Sequence, residues 1–578
     1  MFSNRHNTYL HLIEMRKNSL AIMRQEHRFL NNSLELMLVI GGAILSGILF
    51  FWPEFRNGFS HIYSDAYDGV IEAILVSHWH WVFRGLRWWS EPSYFFPNQD
   101  TLGYNDSYFL YGVIASIFRA LGADIFRAAE LTSLTIKIFG YFSMYALLRR
   151  FKNQVLINLF VAMIFTVSLS SGNGQHAQLY SVAFAPFLIY LGLIASQSLS
   201  SGDKLKFTLI SCGWVIFYCA WLMTSFYMPF FFGIFLIAFI AIWFCLSPAR
   251  SKLIIQHLSR EISLLVFPAI TFVICITPFF VVYLPKLKQS GGHSLSAVMA
   301  YTQRPIDIIN FGDGSLIWST LYSLMARLTN SLHSDEHTTG FTPIFLCIFL
   351  VSIYAFSKSI RKNTSGSRVP LAFGLSSILL LVCCLNFKGH SVWALIYQFI
   401  PGAKGVRVIS RYFIFLVFPM SVTIACYFHT IWQRGFKLPA GILLTLLVLE
   451  QFNVHPSISL DVKKHLDIIS QMPMPPAQCT TFYGVDPVSV IAEGAEAKTL
   501  PRLNVQAMLI ADHINLPTIN GEATFTPPGW DFAEQPKATY DTRVAAYAAQ
   551  HNVRNLCRYD ISARKWSVIT PDAPLSSN

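Results

Sequence analysis

Apolar residues in this chain concentrate in long runs rather than at the spacings of half-buried helices or strands. The first run occupies residues 34–52, and others lie near 128–148, 154–171, 179–197, 206–224, 227–246, 261–284, 341–358, 369–387, 411–430 and 438–453. A helix needs roughly 17–25 apolar residues to cross a hydrocarbon core, so the pattern predicts eleven transmembrane helices, several close to the lower limit. Two polar-aromatic stretches interrupt the runs. Residues 53–125 mix Trp, Tyr, Phe and Pro with acids, as a long loop with interfacial helices does, and their short apolar stretch Tyr108–Leu121 reads as a juxtamembrane helix. A second long loop is expected at 285–340. Beyond residue 454, short β-prone segments such as QCTTFYGVDPVSVIA alternate with Gly, Pro and Asn turns, which predicts a small mixed α/β domain.

The expected fold class is therefore a multi-pass α-helical membrane protein with a small C-terminal α/β domain. Its expected parts are an amphipathic leader (1–33), a transmembrane domain (34–453) and the C-terminal domain (454–578). Composition agrees with this division: 53% of residues are apolar and 13% charged, about half the charged share of a soluble chain. The net charge of +12 is uneven, with −2 on residues 454–578 and +14 on the rest. The basic residues lie between apolar runs, which is the signature of cytoplasmic loops and not of a nucleic-acid-binding face, so no nucleic-acid partner is expected.

Loop charge then sets the orientation. Arg5, Arg16, Lys17, Arg24 and Arg28 precede the first run, which lacks a small-residue cleavage site, so the N-terminus is expected in the cytoplasm with a retained first span. Arg149, Arg150, Lys152, Lys204, Lys206, Arg250 to Arg260, Lys358 to Arg368 and Arg434 to Lys437 then all fall on the cytoplasmic side. An odd number of crossings places the C-terminal domain outside. The only cysteines beyond the apolar runs, Cys479 and Cys557, lie there and are expected to pair, which the chain-entropy model values at about 4 kcal/mol.

The first outer loop carries most of the candidate chemistry. Asp65 and Asp68 stand three apart at the head of an amphipathic pattern, so both suit helix capping and both suit a carboxylate acting as general base or cation ligand. Asp100 and Asp106 follow in the same loop. His176 sits in a short outer turn, SGNGQHAQLY, where it would bind substrate or cap the next span. Arg407 and Arg411, four apart before an apolar run, would clamp a phosphate as helix neighbours or snorkel to the membrane edge. Lys137 falls inside a span, where a charge is a functional candidate by default. His61, His78 and His80 lack metal-ligand spacing, so no metal is assigned.

These segments resemble the GT-C superfamily of polytopic glycosyltransferases. The resemblance rests on the DAYD and HWHW elements, on YFFPNQDTLGYNDSYF, on a helix ending in Arg149-Arg150, on QHAQLYSVAFAPFLIYL, on PGAKGVRVISRYFIF, and on AMLIADHINLPTINGEATFTPPGW in the tail. It implies an inverting transferase of the bacterial inner membrane. Such an enzyme takes a sugar from a polyprenyl-phosphate donor and passes it to a surface glycan or lipid-linked acceptor on the outer face. It implies a catalytic carboxylate at Asp65 or Asp68; substrate contacts are then expected, from the residues themselves, at Asp100, Asp106, His176, Arg407 and Arg411. No cofactor is required by it, although a divalent cation is used by some members. The competing readings are a secondary transporter or flippase of envelope glycan precursors, and a non-catalytic envelope assembly factor. A transporter would be expected to show two hydropathy-matched halves, and no such repeat is present.

Overall fold

A computed structural model describes residues 33–569 apart from 63, 152, 173–175, 330–331, 333–335, 362–364, 455–459, 487–501 and 534–538. The leader up to residue 32 lies outside the described residues. Each of the apolar runs read from the sequence is helical. Among the described residues eight helices are long and apolar enough to cross a membrane: Ser33–Phe50, Ile125–Arg150, Ala177–Ser200, Lys204–Thr224, Tyr227–Leu246, Ile262–Ser290, Pro343–Arg361 and Ile409–Gln433. The other three runs form the shorter helices Val155–Val167, Arg368–Cys384 and Lys437–Gln451. The molecule is a multi-pass α-helical membrane protein with a small mixed α/β domain at its C-terminal end.

Burial separates a core from a lipid-facing shell. The apolar window of Ile409–Gln433 is 78% buried, whereas that of Ile262–Ser290 is 17% buried, so the former is the axis of the bundle and the latter its rim. Around the axis pack Val155–Val167, Arg368–Cys384 and Pro343–Arg361. Lys137 lies on the inner face of Ile125–Arg150. Its ammonium donates to the Thr166 carbonyl at 3.2 Å and sits 3.8 Å from the Phe50 ring centroid, a carbonyl and a π-face in place of water.

The first long loop contains three α-helices, Trp52–Asn57, Asp68–Phe83 and Phe109–Ala120. The C-terminal sheet pairs Thr481–Val485 in parallel with Leu556–Asp560, which pairs antiparallel with Lys565–Val568. A disulfide joins Cys479 to Cys557 at the start of the parallel pair, as the sequence predicted.

This domain is seated on the first loop by several independent contacts. His61–Ile62 pairs antiparallel with Leu460–Asp461. Helix Leu503–Ile514 packs on Asp68–Phe83, where Asp512 accepts from Ser77 at 2.7 Å and from Arg87 at 2.8 Å. The Arg87 and Asp512 side chains are 7% and 2% exposed, and two charges so desolvated hold their place only as a pair. Further along, the Phe95 ring meets Trp530 edge-on at 4.9 Å, and a Cβ at Gly521 would run into Phe95, which is why the chain there is glycine.

Candidate active site

The segment SDAYDG, residues 64–69, makes a tight turn before the helix Asp68–Phe83. One carboxylate oxygen of Asp65 accepts from the backbone N–H of Tyr67 at 2.9 Å and of Gly69 at 3.2 Å. Asp65 is thus spent on the turn. Asp68, the first helical residue, has its side chain 42% exposed and its carboxylate 3.9 Å from Nδ1 of His176.

His176 is the centre of the cluster. Glu72, one turn after Asp68, lies 3.8 Å from the same Nδ1, and Glu336 of the second long loop lies 3.7 Å from Nε2. These separations are ion-pair contacts, too long for direct hydrogen bonds. The loop that carries the ring is fixed on three sides. Both Glu72 oxygens face the Ala177 N–H at 3.1 Å, the Tyr111 hydroxyl donates to the Ala177 carbonyl at 2.6 Å, and the Tyr108 hydroxyl donates to Gln178 at 2.8 Å.

Arg411 completes the group from the axial helix. Its guanidinium grips Glu336 with both prongs, at 2.6 and 3.2 Å, and stands 5.4 Å over the Tyr227 ring. Arg407 does not join it. The chain from Val406 to Val408 is not helical; the Tyr227 hydroxyl accepts the N–H groups of Arg407 and Val408 at 3.0 and 3.2 Å and holds the strand away from a helical turn. Arg407 is exposed and lies 5.4 Å over the Tyr301 ring, at the rim. The two arginines therefore do not form a pair of helix neighbours.

Asp106 accepts from the Phe226 N–H at 2.9 Å and so caps the helix Tyr227–Leu246 on the near side of the cluster. Asp100 lies elsewhere. It occupies a left-handed conformation at φ 52°, accepts from Ser90 at 2.6 Å, and organises the loop rather than the cluster.

The charges in the cluster shape one another. Burial pushes the Asp68 carboxyl above the usual carboxylate range, against the pull of His176, and Asp65 and Glu72 push it the same way as burial. Burial pushes Asp106 up to about 6, against the Phe226 N–H bond. Burial and Arg411 push the His176 ring down, and Glu336 and Glu72 outweigh them, leaving it at about 9 and therefore charged at neutral pH. Burial acts to raise Glu336, and His176 and Arg411 overcome it and bring the carboxyl down to about 2. An accessible carboxylate with a raised pKa stands beside a fixed imidazolium, and a second carboxylate is held ionised by a guanidinium. Such a group can take a proton from a bound hydroxyl and stabilise charge next to it.

Of the seven candidates from the sequence, Asp68, Asp106, His176 and Arg411 come together; Asp65 supports the turn beside them, Arg407 lies at the rim and Asp100 is outside. Glu72 and Glu336 were missed. Glu72 has a sequence signal, the i,i+4 spacing from Asp68 that places both on one helix face. Among the described residues, no three His, Cys, Asp or Glu side chains are arranged to hold a metal ion.

No protein-family model and no curated protein sequence matches the chain. Three solved structures from Archaeoglobus fulgidus are similar in form. The oligosaccharyltransferase in its apo form is 12% identical over 90% of this chain and 69% of that one, with a TM-score of 0.44. The oligosaccharyltransferase AglB in complex with an inhibitory peptide and a dolichol-phosphate is 10% identical over 94% and 75%, with a TM-score of 0.48. The oligosaccharyltransferase complex with Zn and sulfate is 11% identical over 90% and 68%, with a TM-score of 0.42. At such identities no residue role is carried across.

Proposed function

We propose that the chain is an inverting membrane glycosyltransferase of the GT-C kind, acting on the outer face of a bacterial inner membrane. It moves a sugar from a polyprenyl-phosphate donor to a surface glycan or lipid-linked acceptor. The observation that carries this reading is the cluster itself: a half-buried carboxylate, Asp68, beside an imidazolium and a guanidinium–carboxylate pair where the first long loop meets the axial helix.

In the proposed step the acceptor hydroxyl gives its proton to Asp68 while its oxygen attacks the anomeric carbon. The bond from that carbon to the phosphate oxygen breaks, and the phosphate leaves with the electron pair. A single displacement inverts the centre, and a phosphate leaving group needs no acid to depart. His176 stays protonated and, with Arg411 and Glu336, fixes Asp68 and Glu72 in place. Arg407, exposed at the rim over the Tyr301 ring, suits the lipid phosphate.

Among the described residues no metal centre is formed, and no step is routed through a divalent cation. The assay measures that dependence directly. Purified protein in liposomes, given a panel of polyprenyl-phosphate sugars and envelope glycans, should yield a glycosylated acceptor detectable by mass spectrometry, and chelator with Mg²⁺ or Mn²⁺ add-back reads out the metal. Absence of transfer from every donor, or transfer unaffected by Asp68→Asn, removes this reading.

A further inference from the structure

Between the helices Arg368–Cys384 and Ile409–Gln433 the chain forms an element too short to cross a membrane, the helix Trp393–Phe399. One side of it is buried: the Trp393 ring meets Phe231 edge-on at 6.2 Å and Tyr412 of the axial helix edge-on at 5.9 Å. The other side is an apolar stripe at helical spacing, Val392, Leu395 and Phe399, in which Leu395 is 57% and Phe399 70% exposed. The stripe runs directly into the turn 401–405, where the Ala403 N–H donates to the Ile400 carbonyl at 3.2 Å.

That turn is rigidly placed. Gly402 takes φ 89°, which glycine adopts without strain, and a Cβ on Gly402 or Gly405 would press on the Phe226 ring at 3.0 or 3.2 Å. The Lys404 carbonyl accepts the His293 N–H at 2.9 Å, and the Tyr227 hydroxyl accepts the N–H groups of Arg407 and Val408. Phe226 and Tyr227 also join the turn to the cluster, since Asp106 accepts from the Phe226 N–H and Arg411 stands over the Tyr227 ring. Two exposed cations are presented from this segment. Lys404 lies 5.8 Å from the Tyr397 ring centroid and Arg407 lies 5.4 Å from that of Tyr301. Three residues of chain separate their Cα atoms by at most about 11 Å. A ring face carries no net charge, so neither cation is neutralised by its ring, and among the described residues neither forms a salt bridge.

We propose that this surface is the seat of the lipid-linked donor: Lys404 joins Arg407 on the phosphate, and the stripe of Leu395 and Phe399 takes the polyprenyl chain. The inference rests on the transferase reading above and adds Lys404 and the chain-binding stripe to it. The chemistry selects the ligand. Two uncompensated cations attract a phosphate, and an exposed apolar face that ends at them takes hydrocarbon. A polyprenyl phosphate carries its charge at the tip of one linear chain, which matches one narrow stripe ending at one cationic turn. A phospholipid brings two acyl chains beside its phosphate, and inorganic phosphate has no use for the stripe.

The test uses full-length protein in phosphatidylcholine nanodiscs, with a fluorescent undecaprenyl phosphate as probe and unlabelled undecaprenyl phosphate, undecaprenol, phosphatidic acid and inorganic phosphate as competitors. Undecaprenyl phosphate should displace the probe, and each of the others should do so at least about tenfold less well. Lys404→Gln and Arg407→Gln should each weaken probe binding by about tenfold, the loss of one charged hydrogen bond. The double variant Leu395→Ser/Phe399→Ser should weaken it as well, while Arg434→Gln at the opposite end of the bundle should not. An intact Cys479–Cys557 disulfide and unchanged elution report the folding of each variant. Equal displacement by phosphatidic acid would make the surface a phospholipid site, equal displacement by undecaprenol would leave the cations without a part, and probe binding unmoved by Lys404→Gln or by the double variant would empty the seat; each overturns the proposal. Probe binding with the expected losses but no transfer to any acceptor would leave the seat and remove the transferase. Transfer with a donor KM that Lys404→Gln does not move would do the reverse.

Discussion

Asp65 and Asp68 look alike in sequence, and their surroundings divide the labour between them. Asp65 is bound to two backbone N–H groups. Asp65→Ala should therefore cost about 1 kcal/mol, the usual value of a lost cap, and should lower Tm before it lowers turnover. Asp68→Asn keeps the shape and removes the base, so transfer should fall by a factor of about 10²–10⁴ at unchanged Tm. Equal rate losses in the two variants would refute that division. His176 adds a pH signature. Its ring is held at about 9 in the cluster, against about 6.5 when free. The stabilisation it gives is complete below about 6.5 and disappears as pH rises through about 9. Above that point Arg411 is the cation left facing Asp68, Glu72, Asp106 and Glu336 among the described residues. The rate should fall there, and His176→Gln should abolish that alkaline limb; an identical limb in the variant would assign it to another group.

At the scale of elements, the transmembrane helices were legible because a hydrocarbon core demands long apolar runs, and no tertiary contact is needed to see them. Their ends were less so: Ile262–Ser290 continues through Pro285 to Lys286, whose ammonium reaches the Gln99 carbonyl at 2.8 Å. That contact lies far away in sequence. The same limit hid Glu336, which meets Arg411 and His176 only once the second outer loop has folded over the axis. The two arginines are not helix neighbours, for a local reason. Helical spacing was assumed, and the Tyr227 hydroxyl holds the strand at 407–408 instead. The consequence is testable. Arg411→Lys loses the fork that holds Glu336 and should lower both Tm and kcat. Arg407→Lys should leave Tm alone and raise the donor KM. Matching effects from the two substitutions would return them to a single clamp.

At the scale of the molecule, the C-terminal domain is bound to the first outer loop by the ribbon at Leu460–Asp461, the Arg87–Asp512 pair and the Phe95–Trp530 contact. Domain and loop therefore lie on one side of the membrane, whichever side that is. The sequence expectation, read from the basic residues at 149–152, 204–206, 250–260, 358–368 and 434–437 opposite to this domain, is that the domain's side is the outer one. An oxidising compartment there would let the Cys479–Cys557 bond persist. The bond closes a ring across a sequence separation of 78 residues, for which the chain-entropy model gives about 4 kcal/mol. A loss of that size is a large fraction of a small domain's stability. In intact cells, an impermeant maleimide should label neither cysteine before reduction and both after reduction under mild denaturant. The double variant Cys479→Ala/Cys557→Ala should lose the C-terminal domain to added protease while the membrane helices stay protected. Labelling that requires broken cells would reverse the orientation and, with it, the side on which transfer is proposed. Free thiols in unreduced protein would remove the bridge and leave the loop contacts as the domain's only anchor.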